Sequence, residues 1–279
     1  MTIAIIGAGG KMGMRIISNL QKHPYRLMCS EKSKDGHKRL KQKGLEPVDS
    51  VEAVPQVDLV ILAVPDRLIK KISEDLVPLM KPHASLLLLD PAAAYIDELA
   101  LRDDCTFVAT HPCHPALFSV QETQEAQEDF FGGIAAKQDI VIALIQGTEK
   151  NFKRTEKICR EIFAPVVNCH RITVEQMAIL EPAAAEVVAA SAAVLMKQAT
   201  DEAIRQGVPE AAAKAFMLGH AQIPLAIAFG RVSNPFSDAA QVAIKVGFER
   251  VIRKEWREVF NRDFLKKTVY RMLHPEANE

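Results

Sequence analysis

Hydrophobic residues in the first half of the chain gather into short continuous runs separated by stretches of helical spacing. Ile3-Ala4-Ile5-Ile6 stops at Gly7, and Met12, Ile16, Ile17 and Leu20 then recur at helical intervals. A weaker run covers residues 25–30. Residues 58–64 form a strong one, ended by Pro65-Asp66. Residues 68–79 are amphipathic, and residues 85–89, 106–109 and 140–145 are apolar runs again. Buried parallel strands read as continuous apolar runs, and surface helices as a period of about 3.6. The alternation predicts an α/β domain over residues 1–170, with a mostly parallel sheet and right-handed crossovers.

The pattern changes near Thr173. From there no segment reads as a strand, which predicts an all-helical domain over residues 171–279. Residues 173–206 read as one long helix, bent at Pro182. At ~1.5 Å per residue it would reach about 50 Å. Its middle, residues 183–190, is apolar on nearly every face and must be covered all round. A homodimer packed through these helices is the expected cover. The apolar run 183–196 is too short to span a bilayer and contains Glu186, so no membrane segment is expected. Pro209 opens a further helix to about Phe229, and Asn234-Pro235-Phe236-Ser237-Asp238 reads as a turn and N-cap before another.

Composition narrows the function classes. The 279 residues carry 35 basic and 35 acidic side chains. That balance gives no support for a nucleic-acid or anionic-membrane partner. Five scattered cysteines include no C-x-x-C pair, so neither a disulfide framework nor a zinc knuckle is expected. A reducing cytoplasm fits, and the N-terminus does not read as a signal peptide.

The most specific motif is Gly7-Ala8-Gly9-Gly10-Lys11-Met12-Gly13, between the first strand and the first helix. Glycines there permit a tight turn against a pyrophosphate, and the helix N-terminus favours its charge. The spacing fits G-x-x-G-x-x-G through Gly7, Gly10 and Gly13. With its strand-loop-helix context, it marks a Rossmann dinucleotide-binding domain. Glu31 follows the second strand, about 20 residues on, where an acid holds the ribose 2′-hydroxyl and repels a 2′-phosphate. NAD is therefore the expected cofactor, although Lys32 and Lys34 lie beside it. Val64-Pro65-Asp66 ends a strand at the carboxyl edge of the sheet and is expected beside the nicotinamide ribose.

Thr110-His111-Pro112-Cys113-His114-Pro115 follows another strand and reads as a loop stiffened by two prolines. Two histidines beside a nicotinamide are candidates for acid–base or metal chemistry. His114 can ligate a metal with His111 as proton acceptor, or the reverse. Cys113 offers a thiolate nucleophile, the mechanism of an aldehyde dehydrogenase. Glu181, beside Pro182, and Glu186 put two carboxylates into an apolar stretch, where ligation would offset their burial. Five positions apart, they lie about 140° apart on a regular α-helix, so both facing one ion would require a kink. His220, His170 and Gln176 remain further candidates.

Several of these motifs occur together in one family. The Gly7–Gly13 loop, Ala63-Val64-Pro65-Asp66, His111-Pro112-Cys113-His114-Pro115, Phe130-Phe131-Gly132-Gly133 and the stretch from Val174 to Pro182 resemble those of the D-apionate oxidoisomerase family. The wider group is similar to 6-phosphogluconate dehydrogenase in its C-terminal helical domain. The resemblance implies NAD-dependent oxidation of the C2 hydroxyl of a branched sugar acid. A carbon migration like that of ketol-acid reductoisomerase follows, giving 3-oxo-isoapionate. It also implies a divalent metal, zinc, on His114 and Glu181. The chain departs from the 3-hydroxyacid dehydrogenase branch, whose catalytic helical lysine and asparagine have no counterpart in residues 181–194. A simple NAD(P)-dependent hydroxyacid or semialdehyde dehydrogenase and a non-catalytic dinucleotide sensor are the alternatives.

Overall fold

The apolar runs become strands because almost nothing polar interrupts their burial. Every residue of β3 (Leu59–Leu62) and β4 (Ser85–Leu88) is buried in the computed structural model, which describes residues 1–278. With β1 (Thr2–Ile6), β2 (Arg26–Ser30), β5 (Thr106–His114), β6 (Gln138–Gln146) and β7 (Val166–Arg171) they form a seven-stranded sheet. Its order is β2-β1-β3-β4-β5-β6-β7. All neighbours are parallel except β5 and β6. The expected mostly parallel α/β domain is present. Ile16, Ile17 and Leu20 of the helix Lys11–Leu20 pack on Ile3, Ile5, Leu59 and Ile61. Phe152, Ile158 and Ile162 of the helix Glu149–Ile162 belong to the same core.

Two strand expectations are corrected. The histidine segment is not a loop, because β5 continues through His114. It pairs with β4 as far as Ala109. It then pairs with β6 alone, His111 opposite Val141 and Pro112 opposite Ile140. Since β4 has ended there, Pro112 faces no second ladder that needs its missing N–H. The strand β7 escapes the apolar-run criterion because it closes the sheet edge and exposes four of its six residues.

Contacts divide the chain differently from secondary-structure type. One compact unit holds residues 1–178 and 268–279; the other holds residues 179–267. The expected division fell at 170/171, where strands stop. Burial carries the contact boundary further. Met177 and Ala178 are fully buried, as are Val269 and Leu273 near the C-terminus, where His274 meets Glu98 at 2.9 Å.

The second unit includes a π-helical segment, Ile179–Ala190, and the helices Ser191–Arg205, Glu210–Ala228 and Asp238–Arg250. Ser237 caps the last of these, as expected, accepting from the Ala240 amide. The helical run Val174–Arg205 is continuous over 32 residues. Its length and composition would suffice to cross a membrane, a test that the core helices of soluble proteins also pass.

Asn19, 3% exposed, donates to the carbonyls of Gly133 and Ile162 at 2.9 and 3.0 Å and so ties the first helix to two distant segments. Asn19→Ala leaves both acceptors unpaired. It should lower unfolding free energy by about 1–3 kcal/mol, read from urea melts of the two proteins.

Candidate active site

The carboxyl edge of the parallel strands collects the candidate residues of the first unit. Gly7 follows β1 with φ +79°, and a Cβ there would lie 2.3 Å from the Ala63 carbonyl oxygen. A Cβ at Gly13 would lie 2.5 Å from the Gly7 carbonyl oxygen. Only glycine permits this approach of helix, loop and strand end.

Main-chain accounting then shows which donors the loop offers. The amides of Gly7 and Ala8 both donate to the Ser30 carbonyl, and that of Gly10 to the Gly7 carbonyl. The Gly9 amide donates to Glu31 Oε2 at 2.9 Å, while Arg39 Nε donates to the Gly9 carbonyl at 2.7 Å. The first-turn amides of Lys11, Met12 and Gly13 are those left by the helix itself to meet a pyrophosphate. The glycines shape the loop, and the helix start supplies the donors.

Glu31 has more work than the sequence suggested. Its Oε1 also accepts from the amides of Lys32 and Ser33 at 2.9 and 2.8 Å. Burial acts to raise its pKa, but the amides of Ser33, Gly9 and Lys32 and the Ser33 hydroxyl outweigh it and hold the carboxyl below the usual range. Val64 is half-buried, and Pro65 and Asp66 are exposed where β3 opens into a short turn.

Next along the edge stand Asp90 and His111. Asp90 follows β4 and accepts from the Ala92 amide at 2.7 Å. His111 Nδ1 donates to the Leu89 carbonyl at 2.9 Å, since a carbonyl oxygen brings no proton of its own. In the neutral ring that bond puts the lone pair on Nε2. A carboxylate oxygen of Asp90 and a ring nitrogen of His111 lie within 4.8 Å of one another. Sequence reasoning missed Asp90. Its signal was the same as that of Val64-Pro65-Asp66: an acid beside proline just past an apolar strand.

The rings of His114 and His111 meet edge to face, their centroids 6.0 Å apart and their planes at 89°. His114 Nδ1 donates to the Phe131 carbonyl at 2.9 Å, and the His114 backbone takes φ +60°. Cys113 is exposed between them. Burial of its sulfur, then the charge of Asp139, push the thiol pKa up. A nucleophilic thiolate needs the opposite shift.

In the second unit Glu181 is half-buried and Glu186 exposed on the π-helical segment. In π geometry the repeating hydrogen bond links residue i to i+5, so regular α-helical spacing does not apply to these two carboxylates. The 140° separation expected of an α-helix is corrected. Pro182 has no N–H for the α-helical ladder, and the wider turn accommodates it. His220, exposed, donates to the Phe216 carbonyl and stacks on the Phe216 ring at 3.8 Å. In the first unit, His170 pairs with Asp139 at 2.9 Å. Gln176 and Thr173 bond each other's amides, a capping box that starts the long helical run.

Comparison with known proteins places these features. Residues 2–90 match the NAD-binding domain of 6-phosphogluconate dehydrogenase, and residues 119–273 match the phosphogluconate dehydrogenase (decarboxylating) C-terminal domain. The chain is 44% identical to D-apionate oxidoisomerase of Cupriavidus necator, over 97% of this chain and 98% of that protein. It is 41% identical to the enzyme of the same name from Blautia hydrogenotrophica, over 99% and 98%. A crystal structure described as a semialdehyde dehydrogenase NAD-binding protein from Cupriavidus necator, in complex with calcium and NAD, superposes with TM-score 0.94. It is 43% identical and covers 97% of this chain and 99% of that one. An NADH-preferring ketol-acid reductoisomerase from an uncultured archaeon shares the fold, at TM-score 0.67 and 16% identity, over 99% of this chain and 83% of that one. Two domain matches in the expected order and full-length identity above 40% agree: this NAD-binding oxidoreductase chain belongs to the D-apionate oxidoisomerase family.

Proposed function

We propose that the protein is a D-apionate oxidoisomerase, oxidising the C2 hydroxyl of D-apionate with NAD and then moving a carbon to give 3-oxo-isoapionate. The observation that carries this is the identity of 41–44% over nearly the whole length of relatives of that name. In the first step the C2 hydrogen leaves as hydride to the nicotinamide, and the hydroxyl proton goes to a base. In the second, the C3 hydroxymethyl group moves with its bonding pair to the C2 carbonyl carbon. The C3 alcohol gives up its proton as it becomes a ketone, and the C2 oxygen takes one up.

Those proton movements suit a pair of imidazoles whose tautomers are set by main-chain carbonyls. His114 acts as the proton acceptor and His111 as a metal ligand, the reverse of the sequence-based order. The Asp90–His111 pair supports this, because a histidine whose Nδ1–H is held by a carbonyl presents Nε2 as ligating histidines do. A carboxylate oxygen and an imidazole nitrogen form a donor set that suits a divalent cation, and Glu181 is the helical carboxylate that the resemblance adds. The cation, zinc in this reading, supplies Lewis-acid polarisation of the substrate oxygens. The Cupriavidus necator structure was solved with calcium, which supports a divalent site in that relative. Asp90, His111 and the Glu31 end of the sheet orient substrate and cofactor along one edge.

The enzyme acts in the cytoplasm as a homodimer. All five cysteines are free thiols. The helical unit exposes Phe216, Leu218 and Phe229 at 67, 75 and 75%, a surface a second copy would cover.

Four outcomes are expected. D-apionate with NAD should yield reduced nicotinamide, read by absorbance, and aldonic acids far less. Chelation should abolish the signal, added zinc restore it, and His111→Ala reduce both bound metal and turnover by about 100-fold. Turnover indifferent to chelator would remove the metal. Glu31→Ala should weaken NAD about tenfold while narrowing the gap to NADP, read by titration of each cofactor, since one charge-assisted hydrogen bond is lost. Light scattering should give twice the 30.8 kDa chain mass. A single-chain mass would remove the dimer.

A further inference from the structure

The Phe130-Phe131-Gly132-Gly133 motif supplies none of the cofactor or metal candidates named above, yet several hydrogen bonds tie its backbone down. Asp129, 8% exposed, accepts the amides of Ile134, Ala135 and Ala136 on one oxygen, Oδ2, at 3.0, 3.0 and 3.2 Å. Its own carbonyl accepts the Gly132 amide at 3.0 Å, closing a turn over the two phenylalanines. Gly132 and Gly133 both have positive φ, +69° and +80°, which carries the chain back around the carboxylate. The Gly133 carbonyl is held in turn by Asn19. Burial acts to raise the Asp129 pKa, but those three amides and the nearby Arg15 charge hold it low, so the carboxylate stays ionised.

The phenylalanine rings are not what the loop is tied down to bury. Phe130 and Phe131 are 76 and 68% exposed. What the turn does fix is the Phe131 carbonyl, 2.9 Å from His114 Nδ1, with the Phe131 ring edge-on to the imidazole at 6.1 Å. His114 itself sits at φ +60° past an irregularity in β5, a conformation a non-glycine residue holds only when its surroundings fix it. In solution neutral histidine prefers the proton on Nε2. A fixed carbonyl facing Nδ1 reverses that preference and leaves the Nε2 lone pair for the substrate.

We propose that Asp129 is a positioning residue for His114: by gathering three amides it holds the Phe131 carbonyl where it sets the histidine's tautomer and aim. This rests on the reading of His114 as proton acceptor, but the tautomer itself is measurable without any substrate. The experiment is nitrogen-15 NMR of the histidine rings in the full-length protein, with His114 assigned by His114→Gln, at a pH where the imidazoles are neutral. Wild type should show His114 as the Nδ1–H form. Asp129→Asn should convert it to a mixture rich in Nε2–H. Phe131→Ala, which keeps the carbonyl and removes the ring, should leave the Nδ1–H form in place. In turnover assays with D-apionate, Asp129→Asn should lower kcat about 10- to 100-fold with the NAD Kd unchanged, as loss of an orienting partner does. An Nε2–H His114 in wild type would overturn the proposal even if the variant failed to fold. So would an unchanged Nδ1–H signature in folded Asp129→Asn. If no sugar acid turns over but the tautomer responds as stated, the substrate reading fails and the positioning role stands.

Discussion

Where parallel strands end, main-chain groups lose their ladder partners and must find others, and the candidate site is assembled from the ways this demand is met. The Ser30 carbonyl at the end of β2 takes the amides of Gly7 and Ala8. The Leu89 carbonyl beyond β4 takes His111, and the Phe131 carbonyl takes His114. Buried backbone groups left unmade are costly, so each pairing is held by more than its own net strength. The same demand leaves three first-turn amides of the helix Lys11–Leu20 as donors for an anion. Cofactor end and histidine end thus share one physical origin.

Glu31 and Asp129 show the same device at opposite ends of this edge. Each is a carboxylate that gathers three backbone amides and thereby shapes a glycine-containing loop. In both, the hydrogen bonds outweigh the burial that acts to raise the pKa. An anion fixed in this way organises its neighbours at long sequence separation. Gly9 and Glu31 are 22 residues apart, and nothing in local propensity would pair them.

The helical unit follows a different logic. Its apolar side chains exceed what its own interior covers, and the helical run Val174–Arg205 is only 11% buried over its most apolar window. Pro182 disrupts the α-helical ladder where Glu181 and Glu186 sit, and the chain responds with a π-helical stretch. That response changes which side chains share a face, so the local hydrogen-bond register governs the chemistry a helix can present.

Much of this was legible in the residues. The apolar runs determined the buried strands, the glycines determined the dinucleotide loop, and the motif order determined the family, because each depends on local sterics or contiguous burial. Glu31, His111 and His114 were legible as candidates for the same reason: each stands just past or within an apolar strand. Other features were decided only by tertiary structure. Asp90 became a candidate site residue because β4 and β5 pair in a register that sets it beside His111. The extension of β5 through Pro112 depended on β4 ending early. The placement of Glu181 and Glu186 around their helix depended on a π register that no α-helical periodicity anticipates. The histidine tautomers were set by carbonyls 17 and 22 residues away. Sequence pattern encodes what each residue prefers among its near neighbours; which distant main-chain group meets it is settled only when the sheet and its loops have closed.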